Sequence, residues 1–219
     1  MIQNCLGHNS SPVASHGQQN RMSTGVAHAP VKDSLSRPIT AGGFVDTIKL
    51  NYPNLRYREP MLLARNSGHG FVDVSPQAGS VFRQPWVVRG RAVGDIDNDG
   101  RLDAVVTTND GPTHTLHNET ATHNHWILLE LVGHKSNRDA IGASVTLMTS
   151  SGSPYATVST TSSYLSASDK RVHFGVGQEK TVQKIKIRWP SGIMRTLKDI
   201  SADQIFQIDE HEVPANWKP

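Results

Sequence analysis

Cysteine is almost absent: Cys5 is the only one in 219 residues. That excludes an internal disulfide and any Cys-rich zinc site, and a single thiol does not distinguish one redox compartment from another. Long apolar runs are missing too. No stretch of about 18 apolar residues occurs, so no helical membrane span is expected, and the first twenty residues lack the apolar core of a signal peptide. Charge of one sign is scarce. Lys plus Arg is 22 against 19 Asp plus Glu, and a net +3 is too small to make capture of nucleic acid the default, although the sequence pI is near 9.1. Hydrophobic residues make up 36% of the chain, which permits a core in one large or two small domains and leaves room for one unfolded segment. None of these absences excludes an ion bound through oxygen.

Sustained periodicity of 3.6 residues is also lacking, so strands are the expected elements. Residues 1–50 are rich in Ser, Gln, Asn, His, Gly and Pro, show no period before Gly43-Phe44-Val45, and are expected to be a disordered leader. From Leu55 onward, short apolar runs alternate with Gly, Asn, Asp, Ser and Pro clusters at roughly 8–12-residue spacing. The clearest strand is Val182–Trp189, where Ile185, Ile187 and Trp189 alternate with Lys184, Lys186 and Arg188. One face is therefore buried and the other cationic and solvated. Pro190-Ser191-Gly192 offers a preset dihedral and a residue tolerant of positive φ, which makes Ile193–Leu197 the hairpin partner. Further strands are expected at Trp126–Val132, Ser144–Met148, Ala156–Thr160, Arg171–Val176 and Gln204–Ile208, enough for a small sandwich or barrel.

The sharpest chemical signal is Asp95-Ile96-Asp97-Asn98-Asp99-Gly100-Arg101-Leu102-Asp103, with carboxylates at positions 1, 3, 5 and 9. Acids this close repel one another unless a cation sits among them. Alternate side chains turn toward a common centre as such a loop curls, Gly100 permits the bend, and the carbonyl of Arg101 can serve as the backbone ligand at position 7. These are hard oxygen ligands suited to Ca²⁺ in a structural role. An EF-hand needs Glu at position 12, but Val106 stands there, and the flanks Arg91–Gly94 and Leu102–Val106 read as strands. A dehalogenase-type aspartate pair lacks its downstream lysine and acid. The bland alternative is a solvated Asp/Asn/Gly turn that binds nothing.

Gly94–Asp103 followed by Ala104-Val105-Val106-Thr107-Thr108-Asn109 resembles the FG-GAP/VCBS repeat of β-propeller proteins, whose D-x-D-x-D-G-x-x-D stretch is a calcium loop between blade strands. Arg65-Asn66-Ser67-Gly68-His69-Gly70-Phe71 is similar to the tail of a preceding repeat. Downstream, Asn124-His125-Trp126, Ser136–Ala143, Ser163-Tyr164-Leu165-Ser166, His173–Gly177 and Trp189–Gly192 together resemble the ASPIC/UnbV domain of the cartilage acidic protein family. The resemblance implies an all-β chain: a leader over 1–50, a partial FG-GAP/VCBS β-propeller blade over 51–122, an ASPIC/UnbV-like β-sandwich over 123–213 and a tail over 214–219. It further implies a calcium-stabilised, non-catalytic binding or adhesion module for a protein or glycan partner, working outside the cytoplasm, extracellular or periplasmic. About one repeat with part of another is retained, so an N-terminally truncated propeller is expected. Two other accounts are a blade resting on the sandwich and missing repeats supplied by another chain. An accessory or enzymatic factor in a biosynthetic pathway is the alternative function, and it requires polar groups converging on a pocket near Arg138, Asp139 and His173.

Other constellations are read beside this. His114, His117, His123 and His125 crowd one segment, but their spacing fits no zinc signature and a polar interdomain loop explains them. His173 is expected to hold a fixed hydrogen bond rather than act as a base. Asn137-Arg138-Asp139 before Gly142 is expected to be a turn fixed by an Arg–Asp contact, with a polar ligand loop as the alternative. Tyr164, Trp126 and Trp189 can form a sugar-stacking platform only if exposed, and the phase of Trp189 with Ile187 assigns it to the core. Asn9-Ser10-Ser11 and Asn118-Glu119-Thr120 have the form of glycosylation sequons. No nucleophile elbow occurs and no catalytic centre is expected.

Overall fold

The computed structural model describes Ile39–Thr40 and residues 57–211, except positions 68, 110, 164 and 165. The described residues are all-β and form no closed barrel. Among the described residues the helical content is two 3-10 turns, Ser75–Gln77 and Ser80–Arg83, and no helix is long and apolar enough to cross a membrane. Of the segment expected to be a disordered leader, Ile39–Thr40 forms a short strand; the rest of it, like the tail from 214, lies outside the described residues.

The upstream half holds β1 (Ile39–Thr40), β2 (Glu59–Pro60), β3 (Leu62–Asn66), β4 (Phe71–Asp73), β5 (Pro85–Trp86), β6 (Val88–Gly94), β7 (Asp103–Thr108) and β8 (His114–Leu116). They form three small sheets ordered β1-β3-β4, β2-β5 and β6-β7-β8. The β6–β7 pair is antiparallel with Gly94 opposite Asp103, so the acid loop is the connection between two strands, as its flanks predict. Val88, Val93, Ala104 and Val106 from this pair pack with Met61, Leu63, Phe82 and Leu116 in a small core.

The downstream half holds β9 (His125–Val132), β10 (Ser144–Met148), β11 (Tyr155–Thr157), β12 (Thr161–Ser163), β13 (Ser166–Ala167), β14 (Val172–Gly177), β15 (Thr181–Arg188), β16 (Met194–Ser201) and β17 (Gln204–Asp209). Two sheets dominate: β14-β9-β17, with β17 parallel to β9, and the antiparallel β11-β10-β15-β16. Their inward residues share one buried cluster that includes Ile127, Leu129, Val145, Leu147, Phe174, Ile185, Ile187 and Trp189. Trp189 is therefore core and not a sugar platform. The β15–β16 turn closes as its residues predict: Trp189 N–H donates to the Ile193 carbonyl and Gly192 N–H to the Trp189 carbonyl, both at 2.9 Å, with Gly192 at φ 91°.

Two features differ from expectation. The strand expected at Ala156–Thr160 stops at Thr157, and Arg171, expected to open a strand, precedes β14 and turns its side chain toward the acid loop. The β12–β13 ribbon crosses to the upstream half and caps the free edge of β6. Arg91 N–H donates to Ser166 Oγ at 2.9 Å, Val93 N–H to Ser168 Oγ at 3.1 Å, and Asp169 N–H to the Val93 carbonyl at 2.9 Å. An edge strand with unpaired N–H groups invites pairing with other chains; this one is satisfied from within.

Candidate metal centre

The acid loop curls because its carboxylates hold its own backbone. Asp95 is 1% exposed and accepts the N–H of Asp99 at 3.1 Å on one oxygen and that of Gly100 at 3.0 Å on the other. Asp103, also 1% exposed, accepts the N–H of Ile96 at 3.2 Å and that of Asn118 at 2.8 Å. Asn98 at φ 61° and Gly100 at φ 84° supply the left-handed turns that bring the ends together. As a result, carboxylate oxygens of Asp95, Asp97 and Asp99 lie within 4.8 Å of one another.

A second group overlaps the first: Asp97, Asp103 and His117 also present ligand atoms within 4.8 Å of one another. His117 Nδ1 is 3.2 Å from Asp103 and its Nε2 is 3.5 Å from Asp97. The register of β7 with β8, Ala104 opposite Leu116, is what sets the following His117 beside Asp103. Arg101 also engages the loop through groups other than its carbonyl. Its guanidinium pairs with Asp99, its Nε–H donates to the Asn118 carbonyl at 2.6 Å, and its backbone N–H donates to Asp99 at 2.8 Å. The donor set suits a hard cation, since the three acids converge within the span of one Ca²⁺ shell and a carboxylate has about four lone-pair sites, more than the backbone bonds use. A cation taking Asp99 competes with the Arg101 guanidinium.

The loop is seated on the outer face of the β14-β9-β17 sheet. Arg171 Nη2 donates to the Asp95 carbonyl at 2.8 Å and Nη1 to Asn98 Oδ1 at 2.7 Å, while Nε binds Asp169 at 2.7 Å. Burial opposes the charge on Arg171, but the hydrogen bond and negative charge of Asp169 outweigh it and hold its pKa above the usual value. His173 Nε2 lies 2.8 Å from the Gly100 carbonyl. A carbonyl only accepts, so Nε2 carries the hydrogen and donates, as expected of a positioning histidine. Gly100 itself lies against the indole of Trp126. Burial of this kind on both faces of β9 explains its run Ile127-Leu128-Leu129, all at most 1% exposed.

Burial depresses the pKa of His173 below its usual 6.5, the bond to Gly100 opposing this only in part. A neutral buried histidine binds fewer protons than the same residue in the unfolded chain, so its contribution to stability is complete above pH 6.5 and is lost as pH falls below that value. We expect the melting temperature to drop between pH 6.5 and 5 and the drop to be reduced in His173→Gln. Equal pH profiles for the two proteins would refute this.

The other residues singled out by sequence go to separate places. His114 stacks on Trp86 at 3.8 Å, His125 binds Asp203 at 2.5 Å, and His123 accepts from Gln178 through its backbone carbonyl. The four histidines therefore do not gather. The turn at 137–142 is fixed by the Asn137 carboxamide, which donates to the Ile141 carbonyl and accepts its N–H, both at 2.8 Å; Asp139 pairs with Lys170 and not with Arg138. Asn118 is 5% exposed with its amide engaged by the Leu102 carbonyl and Thr120 N–H, so its sequon is not presented in the folded protein. Tyr164 lies outside the described residues.

Glu210 is a residue that sequence reasoning missed. It is 1% exposed and accepts the N–H groups of His134, Lys135 and Ser136 at 2.6–2.8 Å, together with the hydroxyls of Ser136 and Ser191. Burial alone raises its pKa, but these bonds win and hold it far below the ordinary carboxylate range. It closes the segment 133–137 against the β15–β16 turn.

Residues 133–215 match the family described as ASPIC and UnbV. That part of the chain carries the ASPIC/UnbV domain, and β9, which precedes the matched residues, completes one of its sheets. No curated protein gives a significant match to the chain.

Proposed function

We propose that the chain is a calcium-stabilised, non-catalytic binding module for a protein or glycan partner, built from a partial FG-GAP/VCBS-type blade resting on an ASPIC/UnbV sandwich. Ca²⁺ is held by Asp95, Asp97, Asp99 and Asp103 with the Arg101 carbonyl. The observation that supports this best is the convergence of Asp95, Asp97 and Asp99 within 4.8 Å in a loop whose backbone is gripped by Arg171 and His173 of the neighbouring half. An ion there neutralises the mutual repulsion of the acids and stiffens a loop already docked, leaving adjacent loops ordered enough to present a surface. By family resemblance such a module works outside the cytoplasm, where Ca²⁺ sites of roughly 10⁻⁴–10⁻³ M affinity are filled.

Calorimetric Ca²⁺ titration, with melting in chelator and in excess Ca²⁺, tests the proposal. Wild type is expected to show one saturable site and a raised melting temperature, and Asp97→Ala to weaken binding at least tenfold. Asp97 suits this test because it is exposed and carries no backbone contact among the described bonds, unlike Asp95 and Asp103. Unchanged affinity in Asp97→Ala sinks the assignment.

A further inference from the structure

The geometry points to the outer face of the β11-β10-β15-β16 sheet as a binding surface for a linear acidic polysaccharide, an inference that rests on the binding-module proposal and names its partner class. The register lines up side chains in rows across this face. Thr157, Ser144, Arg188 and Met194 form one row, Tyr155, Thr146, Lys186 and Thr196 the next, and Met148, Lys184 and Lys198 a third. Four of the chain's cations thus stand on one sheet face, with Arg188 and Lys184 roughly 14 Å apart along the strand. Among the described residues none of the four pairs with a carboxylate, and Asp199, the acid of β16, forms no bond to them.

Stability does not explain the arrangement. Lys184 stands directly opposite Lys198, and like charges at such a position destabilise an antiparallel pair. A cation cluster kept at a cost in stability calls for an anion. Thr196 stands among the cations, the hydroxyls of Ser144, Thr146 and Thr157 flank them on β10 and β11, and Tyr155, 51% exposed, lies at the edge with its hydroxyl 3.0 Å from Thr157 Oγ1. Point charges on flexible stems suit sulfate or carboxylate groups at variable positions along a sugar chain, and the hydroxyls suit its ring oxygens. A single-stranded nucleic acid is favoured less, because one tyrosine is no row of stacking platforms. A membrane surface is favoured less too, because Met194 and Tyr155, the exposed large apolar side chains of this face, stand at its two edges and do not make the apolar face that insertion needs.

The test measures binding of the full chain to immobilised heparin, as the sulfated probe, and to hyaluronan, as the carboxylate-only probe, with dextran as the neutral control and Ca²⁺ present. Wild type is expected to bind at least one acidic probe in a salt-sensitive way. Lys186→Glu/Arg188→Glu should weaken binding at least tenfold, while Arg58→Glu in the upstream half changes it less than twofold. Lys198→Glu is the decisive variant, because it places opposite charges across from Lys184: it should bind at least fivefold more weakly yet melt no lower than wild type. Binding no stronger than to dextran, or undiminished binding in both variants, overturns the inference. Tighter binding to a single-stranded DNA 20-mer or to phosphatidylserine vesicles than to either polysaccharide overturns it too. A retained Ca²⁺-dependent melting shift alongside such a failure leaves the calcium module standing.

Discussion

Glu210→Ala is expected to lower stability by about 3 kcal/mol, the upper end of what hydrogen bonds to a charged group contribute. Three backbone N–H groups and two hydroxyls converge on this carboxylate, and alanine leaves these part-buried donors without it. Urea unfolding checks the magnitude. Glu210→Gln separates charge from shape: its single carbonyl oxygen cannot take the place of two carboxylate oxygens, so it should fall between alanine and wild type. The same residue sets an acid limit. Because its pKa is depressed in the folded protein, its contribution is fully present above the usual 4.5 and is lost as pH falls below it, a second step beneath the one assigned to His173. A Glu210→Ala protein as stable as wild type would show that the segment 133–137 is held by something else.

Gly100→Ala is the second large effect. An added Cβ would lie 2.0 Å from Nε1 of Trp126, far inside contact distance, and the backbone at φ 84° disfavours any L side chain. The strain of such a φ is about 1 kcal/mol or more, and the collision forces either the indole or the loop to move. A loss of about 3 kcal/mol or more is expected. Moving the loop breaks the His173 and Arg171 bonds to Gly100, Asp95 and Asn98 together. The signature is therefore a change in Trp126 fluorescence accompanied by weaker Ca²⁺ binding, although no carboxylate has been altered. Melting unchanged from wild type would mean that the loop is not seated on the sheet in solution.

β10 and β15 were legible because each buries one face against a shared core, which leaves alternation in the sequence, as in Lys184-Ile185-Lys186-Ile187, and β9 because burial on both faces leaves a continuous apolar run. The acid loop was legible for a different reason: its chemistry is written in consecutive residues. What escaped was everything made by chain segments far apart. Glu210 looks like one more surface acid until the segment 134–136 turns three N–H groups on it. Arg171 reads as the start of a strand, and only the docked loop shows what its guanidinium holds. His117 stood in a crowd of histidines whose spacing pointed nowhere, and the β7–β8 register singles it out. The Arg138–Asp139 contact was expected from adjacency alone, and Lys170 takes Asp139 instead.

The position of β17 bears on how the chain reaches this state. Its partner β9 is far away in sequence: Asp203, just before β17, accepts the N–H of Trp126 across 77 residues. The central strand of the sheet that carries the acid loop therefore waits for a strand that follows it by more than 70 residues before it is flanked on both sides. Local hairpins such as β15–β16 form within microseconds, whereas closure of so long a connection carries an entropic cost before any contact rewards it. Refolding is thus expected in milliseconds to seconds, with hairpin structure preceding the burial of Trp126, and a nascent chain that has not yet released β17 leaves one side of β9 open to other strands.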